Sequence, residues 1–254
     1  MRLIETSTFE LSEFIGSHIP FYAILSHRLR GCCAQAAKDG FQWVWIDSCC
    51  IDKSSSAELS EAINSMFKWY EGAQVCYAYL YDVTSSIDNL SNVYAEFRRS
   101  EWFTRGWTLQ ELLAPQCVEF YNRDWVEIGT KSSLAEMIKK ITGINRLFNY
   151  ELACVAQKMS WMARRETTRE EDIAYCLMGL FGVNMPTLYG EGSKAFLRLQ
   201  QEILSKSEDE SIFAWEGPLG EFHESGLLAH SPKWFGDCAH RRRVLETNLN
   251  LLAD

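Results

Sequence analysis

The sequence predicts an α/β protein with a parallel β-sheet flanked by helices, followed by an α-helical extension. Four apolar runs of strand length alternate with helical patterns in the first half, and the second half is mostly helical in pattern. Strands that are apolar throughout are typical of a parallel sheet covered on both faces. We therefore expect a first domain over residues 1–130 with its α/β core at about 20–130, an α-helical extension over 131–215, and a loosely ordered, truncated tail over 216–254.

The elements follow from local patterns, taken in chain order. Residues 1–20 predict an irregular or short-strand lead-in. The predicted strands are mainly apolar runs at residues 21–25, 41–46, 75–80 and 117–121. The predicted helices have apolar residues at three- and four-residue steps or are rich in alanine, and they cover residues 32–39, 57–71, 132–140, 151–163, 168–181 and 193–206. Residues 211–215 predict a short strand or a tucked segment.

The most informative stretch is Trp102–Pro115, WFTRGWTLQELLAP. It contains one carboxylate, Glu111, among leucines of a short helix that Pro115 ends, since proline cannot continue a helix. A carboxylate in apolar surroundings is paired, lies in a solvated cleft, or takes part in chemistry. The spacing Thr108-x-x-Glu111 also fits a capping box, in which the glutamate serves only the start of the helix. The pattern alone leaves both interpretations open.

Polar side chains follow the predicted strands, and the carboxyl ends of parallel strands are where open α/β sheets bind ligands. This placement favours a site role for Glu111. His27 also fits a strand-end hydrogen bonder, and Asp47 a cap of the following turn. The polar residues are Ser26, His27 and Arg28 after the first strand, Asp47 after the second and Asp82 after the third.

Composition excludes several classes of protein. The net charge of −9 leaves no concentrated basic face, so we expect no nucleic-acid partner. No apolar run is long enough to span a membrane, and no signal peptide is visible, so we expect a cytoplasmic protein. The nine cysteines include no C-x-x-C pair, which indicates reduced, packed thiols and no metal site. Dinucleotide-binding, P-loop and nucleophile-elbow motifs do not occur.

Several blocks of the sequence resemble the fungal HET domain, the heterokaryon incompatibility domain. The three signature-like blocks are YAILSH at 22–27, GFQWVWIDSCCIDK at 40–53 and WFTRGWTLQELLAP at 102–115. The resemblance continues through residues 159–192 and 195–204 and spans about residues 1–215. It implies an effector of non-self recognition after hyphal fusion that triggers programmed cell death. The expected partners are a second copy of the chain or a sensor protein of the incompatibility system.

HET domains are in turn thought to be remote relatives of TIR domains, which implies a TIR-like (flavodoxin-like) sheet. Residues 107–112 are similar to the TIR pattern W-C-L-x-E-L, whose glutamate is catalytic in TIR enzymes that cleave NAD. The resemblance implies Glu111 as the catalytic residue of an NAD glycohydrolase, with NAD as substrate and no bound cofactor or metal. The residues expected to bind substrate are Ser26, His27, Asp47, Trp102 and Trp107.

Two alternatives to the enzyme stay open: a non-enzymatic, self-associating signalling or adaptor module, and a degenerate HET paralogue. The second alternative comes from a departure from the family pattern. After YAILSH only Arg28–Gly31 precede the first cysteine pair, where the family has a longer segment. The 15 residues from Ser26 to Gly40 leave little room for a β-α-β crossover, and the missing segment would line the expected pocket.

Overall fold

The computed structural model describes the chain in five stretches: residues 1–16, 18–26, 31–85, 89–217 and 226–240. The chain divides into two compact units. The first comprises residues 1–103 and 110–141, and the second comprises residues 104–109 and 142–254.

The first unit contains a seven-stranded sheet among its described residues, in the order β2-β1-β4-β3-β5-β6-β7. The strands are β1 (Arg2–Glu5), β2 (Leu11–Glu13), β3 (Tyr22–Ser26), β4 (Trp43–Trp45), β5 (Val75–Tyr79), β6 (Val118–Tyr121) and β7 (Glu127–Thr130). The four central strands β4, β3, β5 and β6 are parallel, whereas β1, β2 and β7 pair antiparallel at the edges. The α/β class and the mostly parallel sheet are therefore confirmed.

Helices lie between or after the strands of the first unit. They are α1 (Cys32–Lys38), α2 (Asp47–Cys50), α3 (Ser56–Gly72), α4 (Leu90–Arg99), α5 (Thr108–Leu113) and α6 (Ala135–Thr142), with a 3₁₀-helix over Glu101–Thr104. Helices α5 and α6 extend into residues of the second unit. Helix α3 begins where predicted, because the Ser55 hydroxyl accepts the amide of Glu58 at 3.3 Å. Its buried face is Ala62, Ile63, Met66, Phe67 and Tyr70.

The described part of the second unit is built from helices. They are α7 (Val155–Ser160), α8 (Asp172–Tyr175), α9 (Met178–Phe181) and α10 (Lys194–Lys206), with 3₁₀-helices at Tyr150–Leu152, Glu210–Phe213 and Pro232–His240. In the described residues of this unit the secondary-structure elements are thus α-helices and 3₁₀-helices.

The structure changes some predicted boundaries. All four predicted strands are present, but residues 1–20 contain two paired strands, β1 and β2. The helix predicted over 168–181 is wrong in its continuity, because α8 and α9 are separate turns. The amide of Leu177 bonds to the carbonyl of Ala174, three residues back, which interrupts the α-helical pattern. Residues 211–215 form no strand and begin within a 3₁₀-helix.

Gly31, at the start of α1, occupies a position that other residues tolerate poorly. Its φ is +93°, and a Cβ added there would lie 2.4 Å from Nε1 of Trp125, in the β6–β7 connection. Both the backbone conformation and the close approach of the indole ring therefore favour glycine at the start of α1.

We predict that Gly31→Ala destabilises the protein more than Gly40→Ala does. Gly40 shares the positive φ, at +86°, but the described residues leave open space around it. Both variants lose about 1–2 kcal/mol to backbone strain, and only Gly31→Ala adds about 1–3 kcal/mol of overpacking against Trp125. Urea unfolding of the two variants measures the difference. Equal losses of stability in the two variants would contradict the close approach of the Trp125 ring to residue 31.

Candidate functional site

The fold brings Ser26 and Glu111 into contact, although they are 85 residues apart in the chain. Ser26 is the last residue of β3, in the centre of the sheet, and its hydroxyl donates a hydrogen bond to the carboxylate of Glu111 on α5. The indole Nε1 of Trp102 in turn donates to the Ser26 oxygen at 2.6 Å. Ser26 is 0% exposed and Glu111 is 8% exposed. These contacts define a buried polar cluster at the carboxyl end of β3.

Tyr70 of α3 is a fourth member of this cluster. Its hydroxyl donates to the carbonyl oxygen of Leu25 at 3.2 Å and also interacts with the carboxylate of Glu111. Burial, and then the charge of Glu111, raise the pKa of Tyr70 well above its ordinary value. Tyr70 therefore keeps its proton and acts as a donor. The sequence indicated Tyr70 only as one position on the apolar face of α3, and no local pattern reveals its contact with Glu111.

The contacts of Glu111 extend beyond its own helix. A glutamate that served only as a cap would bond within the first turn of α5, whereas this carboxylate binds hydroxyls of β3 and α3. Thr108 makes other contacts: its hydroxyl donates to the carbonyl of Arg105 at 2.9 Å and accepts from Nη1 of Arg165 at 2.9 Å. The geometry thus places Glu111 in the polar cluster that joins three elements of the first unit.

Lys131 holds the carboxyl end of α5. Its ammonium is buried and donates to the carbonyl oxygens of Leu113, at 3.3 Å, and Pro115, at 2.9 Å. A cation at the last carbonyls of a helix satisfies acceptors without intrahelical partners and interacts favourably with the helix dipole. Lys131 thereby fixes the end of the helix that carries Glu111.

We predict that Lys131→Met lowers the free energy of unfolding by about 1–3 kcal/mol, because two buried carbonyls lose a charged donor. Lys140→Met is the matched control, since Lys140 is exposed on α6 and its loss should change stability by less than about 0.5 kcal/mol. Chemical denaturation measures both. If Lys131→Met left the free energy of unfolding unchanged, the ammonium would contribute nothing to the stability of the end of α5.

The two tryptophans predicted to bind substrate lie in different surroundings. Trp102 is buried, with its ring edge-on to Phe103 and Phe120 at centroid distances of 5.1 and 5.5 Å. Its ring is packed into the core while its N–H reaches Ser26. Trp107 belongs to the second unit, is half-buried and hydrogen bonds to Asp172.

The remaining predicted residues lie apart from the buried contacts or outside the described residues. Asp47 is the first residue of α2, is exposed and pairs with Lys53 at 3.3 Å. His27 lies outside the described residues. The roles of all five residues toward a substrate stay predictions, and only Ser26 and Trp102 join the Glu111 cluster in the described hydrogen bonds.

Neither metal ligands nor membrane spans stand out in the described residues. Histidine, cysteine, aspartate and glutamate side chains nowhere gather in threes there as metal ligands would. All nine cysteines are free thiols. No described helix is long and apolar enough to cross a membrane.

Comparisons with known proteins place the chain among incompatibility proteins. Residues 12–96 match the family model of the heterokaryon incompatibility protein (HET), and residues 194–253 match a domain of unknown function. The vegetative incompatibility protein HET-E-1 of Podospora anserina is 45% identical over 219 residues, which cover 73% of this chain and 16% of that relative. The chain therefore corresponds to a small part of its relative's length. No solved structure matches the chain. The family match and the identity to HET-E-1 together show that the chain is a heterokaryon incompatibility (HET) domain protein.

Proposed function

We propose that the first unit is a TIR-like domain that cleaves the nicotinamide–ribose bond of NAD, with Glu111 as the catalytic carboxylate. The observation that carries the proposal is the buried Glu111 carboxylate, held by hydroxyl donors at the carboxyl end of the central strand β3. Open α/β sheets bind their ligands at this end of the strands.

The strand order supports a flavodoxin-like arrangement. Numbered along the chain, the parallel strands β3, β4, β5 and β6 lie in the spatial order 2-1-3-4, as do the first four strands of flavodoxin-like sheets. In that order the ligand site lies at the carboxyl ends of the adjacent first and third strands, where the strand order reverses. Those strands are β3 and β5, and Ser26 pairs with Ala78 there.

The chemistry suits a fixed carboxylate. When the bond between ribose C1′ and the nicotinamide nitrogen breaks, its electron pair goes to the nitrogen and C1′ becomes an oxocarbenium-like cation. A carboxylate held in place stabilises this cation without reorganising. Water then adds through its oxygen to C1′ and releases a proton, which gives ADP-ribose and nicotinamide. In this scheme the hydroxyls of Ser26 and Tyr70 fix Glu111 in position.

The other predicted residues fit different parts of the substrate. Stacking on a nucleotide ring requires an open ring face. The ring of Trp102 is packed in the core of the first unit, and half-buried Trp107 belongs to the second unit, so stacking by either residue stays a prediction. Exposed Asp47 suits the hydroxyls of a ribose. Among the described residues, the buried indole N–H of Trp45 has no partner, and its ring lies 5.8 Å from that of Tyr70. Buried donors are rarely left unpaired, so this N–H is available to an acceptor that the described residues do not supply.

At the level of the cell, we propose that NAD loss makes this domain a cytoplasmic effector of non-self recognition and programmed cell death. The name of HET-E-1, a vegetative incompatibility protein, supports this role. Self-association or a sensor protein of the incompatibility system would bring the domain to its active state.

We predict that Glu111→Gln lowers NAD cleavage by a factor on the order of 10²–10³, because the substitution removes the charge that stabilises the cation. Glu119→Gln is the matched control: Glu119 is a half-buried carboxylate of β6 that accepts from the Tyr121 hydroxyl at 2.8 Å. NAD consumption is measured with purified protein at high concentration, and thermal unfolding confirms that both variants fold. Cleavage that survives Glu111→Gln would overturn the catalytic assignment.

Exposed apolar residues near the N-terminus favour the alternative, a non-enzymatic module that acts by self-association. Phe9, Ile15 and Phe21 are 68%, 78% and 77% exposed. Exposed apolar surface of this kind often marks a protein interface, and strand β2, at one edge of the sheet, lies within the same segment.

The alternative predicts that the double variant Ile15→Ser, Phe21→Ser abolishes both self-association and cell death, because it removes the apolar contact surface. Leu227→Ser, at a residue that is 70% exposed in the second unit, should change neither. Sedimentation and expression in fungal cells provide the measurements. Glu111→Gln would then keep full toxicity, whereas the enzyme loses toxicity with this variant.

A further inference from the structure

We propose that Arg165 is a positioning residue that holds the first turn of α5 and so sets the geometry of the Glu111 carboxylate. The inference rests on the proposed function only for its catalytic consequence, since it concerns the same carboxylate.

The guanidinium of Arg165 is buried at the entry to α5. Its Nη1 donates to the carbonyl of Arg105 at 2.8 Å and to the hydroxyl of Thr108 at 2.9 Å, and its Nε lies 3.3 Å from the carbonyl of Trp161. One side chain thus joins the residues on either side of the helix start to the segment after α7. Hydrogen bonds from a charged donor are stronger than neutral ones, so these contacts fix the start of α5.

The backbone next to Arg165 reinforces the attachment. The amide of Glu166 donates to the carbonyl of Thr104 at 2.7 Å, and the amide of Gly106 donates to the carbonyl of Glu166 at 2.8 Å. A Cβ at Gly106 would lie 2.4 Å from Cγ2 of Thr167. The absence of a side chain at Gly106 therefore permits the close approach of the two segments, and residues 104–109 cluster with the second unit.

The contacts of Arg165 influence the position of Glu111 through the backbone of α5. Thr108 and Glu111 are three residues apart, which is less than one turn, so the rotation of the helix at Thr108 determines where the Glu111 side chain points. A helix of six residues has little stability of its own. Its orientation must therefore come from the groups that hold its ends.

The test uses a signal that needs no enzymatic activity, the indole N–H resonance of Trp102 in the full chain labelled with ¹⁵N. This N–H bonds to Ser26, which bonds to Glu111, so its chemical shift reports the geometry of the cluster. We expect Arg165→Ala to move the Trp102 resonance and to speed amide exchange of α5 by about tenfold, in keeping with the loss of a charge-assisted hydrogen bond. Trp102→Phe assigns the resonance.

Arg164→Ala is the matched control, because Arg164 is the exposed neighbour of Arg165, and it should leave the spectrum unchanged. Arg165→Lys keeps the charge and should restore most of the Trp102 shift. If Arg165→Ala does not fold, the same two measurements are made on Thr108→Val, which removes only the hydroxyl that Arg165 binds. A Trp102 resonance and α5 exchange that stay as in the wild type in a folded Arg165→Ala or Thr108→Val variant would overturn the proposal.

NAD cleavage separates this inference from the proposed function. If both hold, Arg165→Ala lowers kcat with little change in KM, and Arg165→Lys recovers it. If wild-type protein cleaves no NAD, the proposed function fails, while the Trp102 shift still reports whether Arg165 positions Glu111.

Discussion

The hydrogen bond from the Ser26 hydroxyl to the Glu111 carboxylate is the interaction on which the arrangement of the first unit depends. A carboxylate taken out of water costs several kcal/mol unless donors replace its hydration. Here the Ser26 hydroxyl of β3 donates to Glu111, and the Tyr70 hydroxyl of α3 interacts with the same carboxylate. The sheet, α3 and α5 must therefore keep fixed positions relative to one another. A displacement of any of them would weaken the contacts that stabilise the buried charge of Glu111.

Ser26 meets this requirement because a hydroxyl both donates and accepts. It gives its proton to Glu111 and receives the indole N–H of Trp102 at 2.6 Å. Trp102 is itself fixed by the rings of Phe103 and Phe120. The aromatic core thus orients an indole, the indole orients a hydroxyl, and the hydroxyl orients a carboxylate. The position of the Glu111 carboxylate is therefore fixed indirectly by the packing of the aromatic core.

The sequence predicted the elements better than the contacts between them. The strands and α3 follow from apolar runs and periodicity, which are local, and Glu111 stood out as a carboxylate in an apolar stretch. Tyr70 did not stand out, because a core tyrosine and a tyrosine that reaches a carboxylate occupy the same position on a helical face. Lys131 and Arg165 gave no signal either. Each acts on backbone carbonyls of a distant segment, and carbonyls are the same in every sequence.

The two cations at the ends of α5 have opposite relations to the helix dipole, and this difference separates their roles. Lys131 lies at the carboxyl end, where positive charge is favourable by about 0.3–1 kcal/mol. Arg165 lies at the amino end, where the same charge is unfavourable by a similar amount. Stabilising the helix therefore does not account for Arg165, which contributes through the groups it joins, the Arg105 carbonyl and the Thr108 hydroxyl. Since a helix of six residues cannot set its own direction, the direction of Glu111 is determined at both ends of α5, and a change at the Arg165 end would reach the carboxylate without altering any residue that touches it.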